Sequence, residues 1–343
     1  MTNPAPSNRL LIILRQVCRA LGWCAIVTAS LLVFPNGIPW LIAAWLLAYT
    51  LLALGGRHGF VCLGVGTAVL VAKRVTPAPG LLVLLAVMLT VIGIGLVHVR
   101  RREGRRPSQR FVWISMIVLW IAWGGMTFDW NHTAHIRHSV ALKGNRPVVC
   151  LGDSMTSLKM FGGYPQVLQK RISLPVVDEA TYGWSAKQVV ESRTLLAEIA
   201  RHNAQVMVIE LGAHDYLNSN TRAETKANLK KIIDASRKMG AEVVLMETPR
   251  AFMSDPFWGL EREIAREEDV ELIPDTALRI ILLHSPILPP GSWRGPPYLT
   301  DEGGIHPNAA GNELLADSVA AALERMYGPA ILRQPPARPQ QSN

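Results

Sequence analysis

The hydrophobic rhythm of the chain changes once, near residue 130. Before it, long apolar runs alternate with short polar breaks, near Leu14–Phe34, Trp40–Gly55, Phe60–Ala72, Leu81–Val99 and Phe111–Phe128. A helix of about 20 apolar residues crosses the roughly 30 Å of a bilayer's hydrocarbon. Five such runs in succession predict an all-α transmembrane region over residues 1–130, with about five helices. Arg15 and Arg19, at the start of the first run, can snorkel their guanidinium groups to the headgroups. Residues 1–8 are polar and Pro-containing, and are expected to be disordered.

After residue 146 the apolar runs shorten to strand length and alternate with helical patterns. Pro147 to Leu151, Leu174 to Val177, Ala204 to Leu211, Ala241 to Met246 and Leu272–Ile273 read as strands. Helices are expected over 163–172, from Ser185 through Ile199, from Thr221 to Gly240, over 257–268, over 276–283 and from Asn308 to Tyr327. Ser185 with Gln188, and Thr221 with Glu224, have the spacing of capping boxes. Strand and helix in alternation predict a parallel sheet with helices on both faces, an α/β domain over 146–330. Residues 286–297 form a Pro-rich loop, and 331–343 a polar tail expected to be disordered.

Charge sharpens the division. The net charge is +9, in a chain of 343 residues that is 49% hydrophobic. Residues 1–130 hold 12 Lys/Arg against Glu103 and Asp129, whereas residues 131–343 hold 23 basic and 24 acidic side chains. The excess belongs to loops of the apolar region, so no nucleic-acid partner is expected. Arg100, Arg101, Arg102, Arg105, Arg106 and Arg110 lie between the last two runs, a loop that the positive-inside rule keeps cytoplasmic. Counting back places the N-terminus inside, with Lys73 and Arg74 the one discordant pair. Counting forward places the C-terminal domain on the periplasmic or extracellular side of a bacterial cytoplasmic membrane. No pair of ionisable groups sits mid-run, as a transporter would require, so the region reads as an anchor. The linker, 131–145, carries His132, His135 and His138 at a spacing of three, but no local Cys or carboxylate completes a metal set. It reads as a polar juxtamembrane segment. Cys18, Cys24 and Cys62 lie in the apolar part and Cys150 stands alone in the second, which therefore has no internal disulfide.

The candidate chemistry lies at strand ends. The run Val148 to Leu151 stops at Gly152-Asp153-Ser154, which puts Ser154 at the carboxyl edge of the sheet, where open α/β folds hold their ligands. The strand 204–211 ends at Gly212-Ala213-His214-Asp215, and His306-Pro307-Asn308 precedes the last helix. A serine hydroxyl is a weak nucleophile unless a base takes its proton and donors stabilise the oxyanion. Ser154 as nucleophile, His306 as base, and the Ser154 and Gly183 N–H groups with a side chain of the 212–215 turn as donors meet those needs. The surrounding sequence is not G-x-S-x-G, which excludes the α/β-hydrolase elbow.

These residues resemble the SGNH, or GDSL-type, hydrolases over about Val148 to Leu323. Gly152-Asp153-Ser154 resembles the first block, Gly183 the glycine block, Gly212-Ala213-His214-Asp215 the Gly-x-Asn-Asp block, and His306-Pro307 the Asp-x-x-His-Pro block. The run from Ile209 through Met246 is similar to the lysophospholipase and arylesterase branch. The resemblance implies a flavodoxin-like three-layer α/β/α fold and hydrolysis of esters or thioesters with no cofactor and no metal. Two positions depart from the pattern. His214 stands where the family has its oxyanion asparagine, and a neutral imidazole can still donate one N–H. Gly303 stands where the family has the aspartate that orients the base. Asp301 is the expected replacement, with Glu302 or a dyad assisted by a backbone carbonyl as alternatives. The expected protein is a membrane-anchored serine esterase acting on a lipid or an acylated glycan. An acyltransferase of envelope glycans and a catalytically impaired binding module are the other two readings.

Overall fold

The computed structural model describes residues 12–23, 38–54, 62–64, 66–68, 79–101, 108–134, 141–158, 162–192, 197, 199–250, 257, 259–275, 277–278, 281 and 306–333. The chain divides near residue 131 into two compact units.

In the first unit, residues 12–23 are helical. Helices α1 (Ile38–Leu54), α2 (Pro79–Arg101) and α3 (Gln109–Ala134) follow. Their shared interior holds Trp45, Leu46, Leu84, Met88, Leu119 and Met126. Two polar pairs lie within it: Tyr49 with Ser115 at 2.6 Å, and the Trp120 indole N–H to the Thr50 hydroxyl at 3.3 Å. Two stretches, Pro79–Val97 and Gln109–Trp130, are long and apolar enough to cross a membrane, and Ile42–Leu54 is a shorter apolar helix. Of the first and third expected spans, only 12–23, 62–64 and 66–68 are among the described residues. Helix α3 also runs past the expected end at Phe128, so 131–134, with His132, continue the helix instead of opening the linker. His135 and His138 lie outside the described residues, as do the expected disordered ends 1–8 and 334–343 and the Pro-rich loop 286–297.

The second unit is a five-stranded parallel sheet of β1 (Val148–Gly152), β4 (Val176–Asp178), β5 (Val206–Glu210), β6 (Glu242–Met246) and β7 (Glu271–Ile273), in the order β4-β1-β5-β6-β7. A two-strand ribbon, β2 (Ser157–Leu158) with β3 (Gly162–Gly163), was not expected from the sequence. Alternate residues of each strand enter opposite cores. Val148, Cys150, Val206, Val208, Val244 and Met246 pack under helices α4 (Tyr164–Arg171) and α9 (Ala309–Tyr327). Val149, Leu151, Met207, Ile209, Val243 and Leu245 pack under α5 (Ala186–Glu191), α7 (Arg222–Lys238) and α8 (Leu260–Glu268). Burial on both faces is why these strands read as continuous apolar runs. This is the three-layer fold expected. Both capping boxes form, each side-chain oxygen satisfying an otherwise orphaned N–H for about 1 kcal/mol. Helix α5 stops at Glu191, where Ser192 leaves the helical region with ψ +89°, and residues 197 and 199–201, at the expected end near Ile199, are helical again.

Counting only the strands of this sheet in chain order, the arrangement is 2-1-3-4-5, with its topological switch at β1. The chain leaves β1 toward β4, then returns to its other side as β5. Crevices at such switches, beyond the strands' carboxyl ends, are where open sheets bind ligands. Gly152 pairs in register with Glu210, so Asp153–Ser154 and Leu211–His214 leave the sheet at one level.

Candidate active site

Ser154 sits in a tight turn directly after β1. The Asp153 carbonyl accepts from the Thr156 N–H at 3.1 Å, and the Asp153 Oδ1 accepts from the Met155 N–H at 2.8 Å. Ser154 is 5% exposed and Asp153 1%. The turn is packed from below: Thr156 donates its hydroxyl to Glu210 Oε2 at 3.0 Å, and Thr248 donates to Oε1 at 3.4 Å.

Across the switch point, helix α6 (Ala213–Leu217) carries His214. Two anchors set its first turn. Asp215 accepts from the Ala186 N–H at 2.6 Å and from the Lys187 N–H at 3.3 Å, fastening α6 to the start of α5. Arg250 donates its Nε–H to the Gly212 carbonyl at 3.0 Å and is ion-paired with Glu261, both side chains being 1% exposed. Burial pushes the Glu261 carboxyl up to about 7 against the pull of Arg250. Gly212 has φ +122°, and a Cβ there would meet the Arg250 guanidinium at 2.5 Å, so glycine is required for both reasons. Gly183 has φ +75°, and its Cβ position lies 3.9 Å from His214 Cε1. The Gly183 turn and the His214 ring are therefore neighbours.

His306 reaches the same edge from the far end of the chain. Asn308 caps α9, its Oδ1 accepting from the Gly311 N–H at 3.1 Å, which fixes the backbone two residues beyond the imidazole. The ring of Tyr182 lies 5.9 Å from that of His306 at a 46° tilt. His214 Nε2 stands 3.8 Å from Asp153 Oδ2, and the charges of Asp153 and His214 both act on His306. Burial lowers the His306 pKa, Asp153 opposes that shift and His214 adds to it, so the imidazole is favoured in its neutral form. Its Nε2 is buried with no hydrogen-bond partner among the described residues.

Asp153, Gly183, His214 and His306 thus meet at one edge of the sheet, with Ser154 in the turn between β1 and β2. Asp301 and its alternative Glu302 lie outside the described residues, as does Gly303. Sequence reasoning assigned no part to Asp153, Glu210, Thr156 or Arg250. Glu210 left a signal, an acid inside the apolar run Met207-Val208-Ile209-Glu210-Leu211. It is fully buried, and burial followed by the Asp153 charge raises its pKa well above the usual carboxylate range. Among the described residues no group of three or more His, Cys, Asp or Glu side chains is arranged to hold a metal ion.

Residues 150–314 match the sequence model of the GDSL-like Lipase/Acylhydrolase family. The chain is 24% identical over 187 residues to the thioesterase 1/protease 1/lysophospholipase L1 of Escherichia coli (strain K12), covering 52% of this chain and 83% of that protein. It is 27% identical over 128 residues to an arylesterase of Vibrio mimicus, covering 36% of this chain and 58% of that protein. Among solved structures it is similar to the psychrotrophic esterase EstA from Pseudoalteromonas sp., with 17% identity, a TM-score of 0.42, and coverage of 52% of this chain and 97% of that one. The segment built around Ser154 is a GDSL/SGNH hydrolase domain, a serine hydrolase that acts on ester bonds.

Proposed function

We propose that this protein is a membrane-anchored esterase that cleaves carboxylic esters outside the cytoplasm, with Ser154 as nucleophile and His306 as base. The observation that carries the reading is the meeting of the Ser154 turn, the Gly183–His214 neighbours and a His306 favoured as the neutral imidazole at one topological switch point. In this reading His306 takes the Ser154 proton as Oγ bonds to the ester carbonyl carbon. The carbonyl π pair moves to oxygen, where the Ser154 and Gly183 N–H groups and His214 receive it. Collapse expels the alcohol, which takes the proton from His306, and water repeats the sequence on the acyl-serine. Asp301 is kept as the proposed orienter of His306.

The anchor reading rests on which surfaces are apolar. Only 28% of Pro79–Val97 and 22% of Gln109–Trp130 is buried. The outward faces carry Leu82, Val83, Leu89, Ile114, Ile117, Ile121 and Phe128, all exposed. A core helix of a water-soluble protein turns such residues inward, whereas hydrocarbon solvates them on every side. The substrate is a lipid ester or an acylated glycan, both present beside a membrane.

A fluorescent alkylphosphonate, which reacts with activated serines, tests the reading on the full chain in detergent. Labelling of the wild type and none of Ser154→Ala is expected, together with turnover of p-nitrophenyl esters that Ser154→Ala lacks. An unlabelled, inactive wild type removes the esterase assignment. Product partitioning between water and added alcohols separates hydrolysis from acyl transfer.

A further inference from the structure

Glu210 has no part in the mechanism above, yet its side chain touches both ends of the turn that presents Ser154. It closes β5 in register with Gly152 and is fully buried. Its Oε2 accepts from the hydroxyl of Thr156, the last residue of that turn, at 3.0 Å. The carboxyl meets Asp153, the first residue, twice: it accepts from the Asp153 backbone N–H and is hydrogen-bonded to the Asp153 side chain. Thr248, just past β6, adds a longer contact to Oε1 at 3.4 Å. Asp153 closes the turn from within, its carbonyl accepting from the Thr156 N–H and its Oδ1 from the Met155 N–H. Ser154 lies inside this ring of bonds.

Two carboxyl groups share a hydrogen bond only when a proton lies between them. Both are shut off from water, and two carboxylate charges in contact in such a place do not persist together. Around Glu210 stand Asp153 from the β1 turn, Tyr164 from α4, and the hydroxyls of Thr156 and Thr248. Burial pushes the Tyr164 phenol well up, so it stays neutral. None of these groups brings a positive charge to offset a second carboxylate. The geometry places the proton on Glu210. Asp153 has the Met155 N–H on its own oxygen to favour the charged form, whereas Glu210 is deeper and faces the Asp153 charge.

We propose that Glu210 is a positioning residue that works as a neutral carboxylic acid: it donates to the Asp153 carboxylate, accepts from the Asp153 N–H and the Thr156 hydroxyl, and so locks the turn that aims Ser154 at the ester. The inference rests on the esterase reading above. Glu210 touches no reacting atom and keeps its proton throughout the cycle. Ionisation of Glu210 removes the donor and sets two carboxylates against each other at the base of the turn, so the lock opens as pH rises.

Glu210→Gln keeps a donor and an acceptor at every pH, while Glu210→Leu keeps about the same volume and has neither. With the full chain in detergent and p-nitrophenyl acetate near pH 7, Glu210→Leu is expected to lower kcat about tenfold or more with KM little changed, the scale of a misplaced reacting group. Glu210→Gln is expected to stay within about threefold of wild type. A loss in Glu210→Gln equal to that in Glu210→Leu, or no loss in either, overturns the proposal. Toward alkaline pH the wild-type kcat is expected to fall before that of Glu210→Gln, because only the wild type has this proton to lose; superimposable profiles overturn it as well. Should Glu210→Leu fail to fold, the Glu210→Gln profile and an infrared measurement carry the test. The difference spectrum of wild type against Glu210→Gln near pH 7 is expected to contain the C=O band of a protonated carboxylic acid, since exposed carboxyl groups are ionised there. Carboxylate bands in its place refute the assignment without any assay of turnover. Failure of the esterase reading shows separately, as absence of phosphonate labelling at Ser154 in the wild type.

Discussion

Gly152 and Thr156 occupy each other's space: a Cβ at residue 152 would run into the Thr156 hydroxyl, and would also meet the Glu210 carbonyl at 2.9 Å. The glycine before Asp153-Ser154 is therefore set by packing and not by its backbone angles. Because Thr156 is held by Glu210 at the end of β5, the clash cannot be relieved by a simple rotation. Gly152→Ala is expected to destabilise the protein by about 1–3 kcal/mol, the usual range for overpacking. Phosphonate labelling of Ser154 should fall with it, as the turn shifts. Thermal unfolding and labelling rate on the same sample check both. Wild-type values in both would mean that the turn is looser than its contacts imply.

Much of this was legible in the sequence because the same residues carry both fold and site. Val148 to Leu151 read as a buried strand, and its abrupt end at Gly-Asp-Ser located the turn. The capping boxes at Ser185 and Thr221 were readable because each is a local exchange of hydrogen bonds over four residues. The β2–β3 ribbon was not, since two-residue strands leave no period. The part Asp153 plays was not legible either, because the sequence gives no sign of which of its oxygens is engaged. The pairing of Arg250 with Glu261 over 11 residues, and of Glu210 with Thr248 over 38, depends on how helices and strands stack. Those relations arise only in the folded layers.

Glu210 gives the domain an unusual dependence on pH. Its pKa is raised by burial, so above the ordinary carboxylate value of 4.5 the native state holds a proton that the unfolded chain has released. A native state that binds more protons loses stability as pH rises. Stability is thus expected to be greatest near and below that value and to decline through the neutral range. Glu210→Gln, neutral throughout and still able to accept from Thr156, should flatten the decline. Unfolding midpoints of both proteins from pH 5 to 9 decide the matter, and parallel curves would mean that Glu210 is ionised in the fold.

Tyr182 stands beside His306 and is 68% exposed, unusual for an aromatic ring next to a candidate base. A substrate lying over Ser154 would cover it. Tyr182→Ala is expected to raise KM for aryl esters about three- to tenfold with kcat little changed, and Tyr182→Phe to behave as wild type, because the ring and not the hydroxyl makes the contact. A fall in kcat at constant KM would instead assign Tyr182 to holding His306.

With His306 as the proposed base, its lowered pKa is expected to set the acid side of the rate profile. Its cause is burial first, opposed by Asp153 and assisted by His214. The base must be neutral to work, so the acid limb of kcat/KM is expected below the ordinary histidine value of about 6.5. His306→Ala and Ser154→Ala should each bring turnover to background, and the double variant should be no worse than either. A His306→Ala protein with the wild-type rate would remove His306 from the reaction.

The last prediction concerns the direction in which the helices run. The Gly80 N–H, at the start of α2, donates to Asp129 Oδ2, near the end of α3, at 2.9 Å. A Cβ at Gly80 would meet the Met126 Cα at 2.8 Å, so the two backbones approach closely there. The start of one helix beside the end of the other makes the pair antiparallel. Arg100, at the end of α2, and Arg110, at the start of α3, then lie at the end opposite Gly80 and Asp129, and the sequence between them holds four more arginines. In the proposed anchor reading, positive charge stays on the cytoplasmic side, and the Asp129 end with the chain that follows it is expected on the other side. A phosphatase that folds only outside the cytoplasm, fused after Asn343, should therefore be active, and a β-galactosidase fusion at the same point silent. Replacing Arg100, Arg101, Arg102, Arg105 and Arg106 with Gln should weaken that asymmetry. Gly80→Leu, which forces the helices apart, should make the protein easier to extract and unfold without reversing the fusion result. A β-galactosidase fusion as active as a cytoplasmic control would invert the orientation and place the ester chemistry inside the cell.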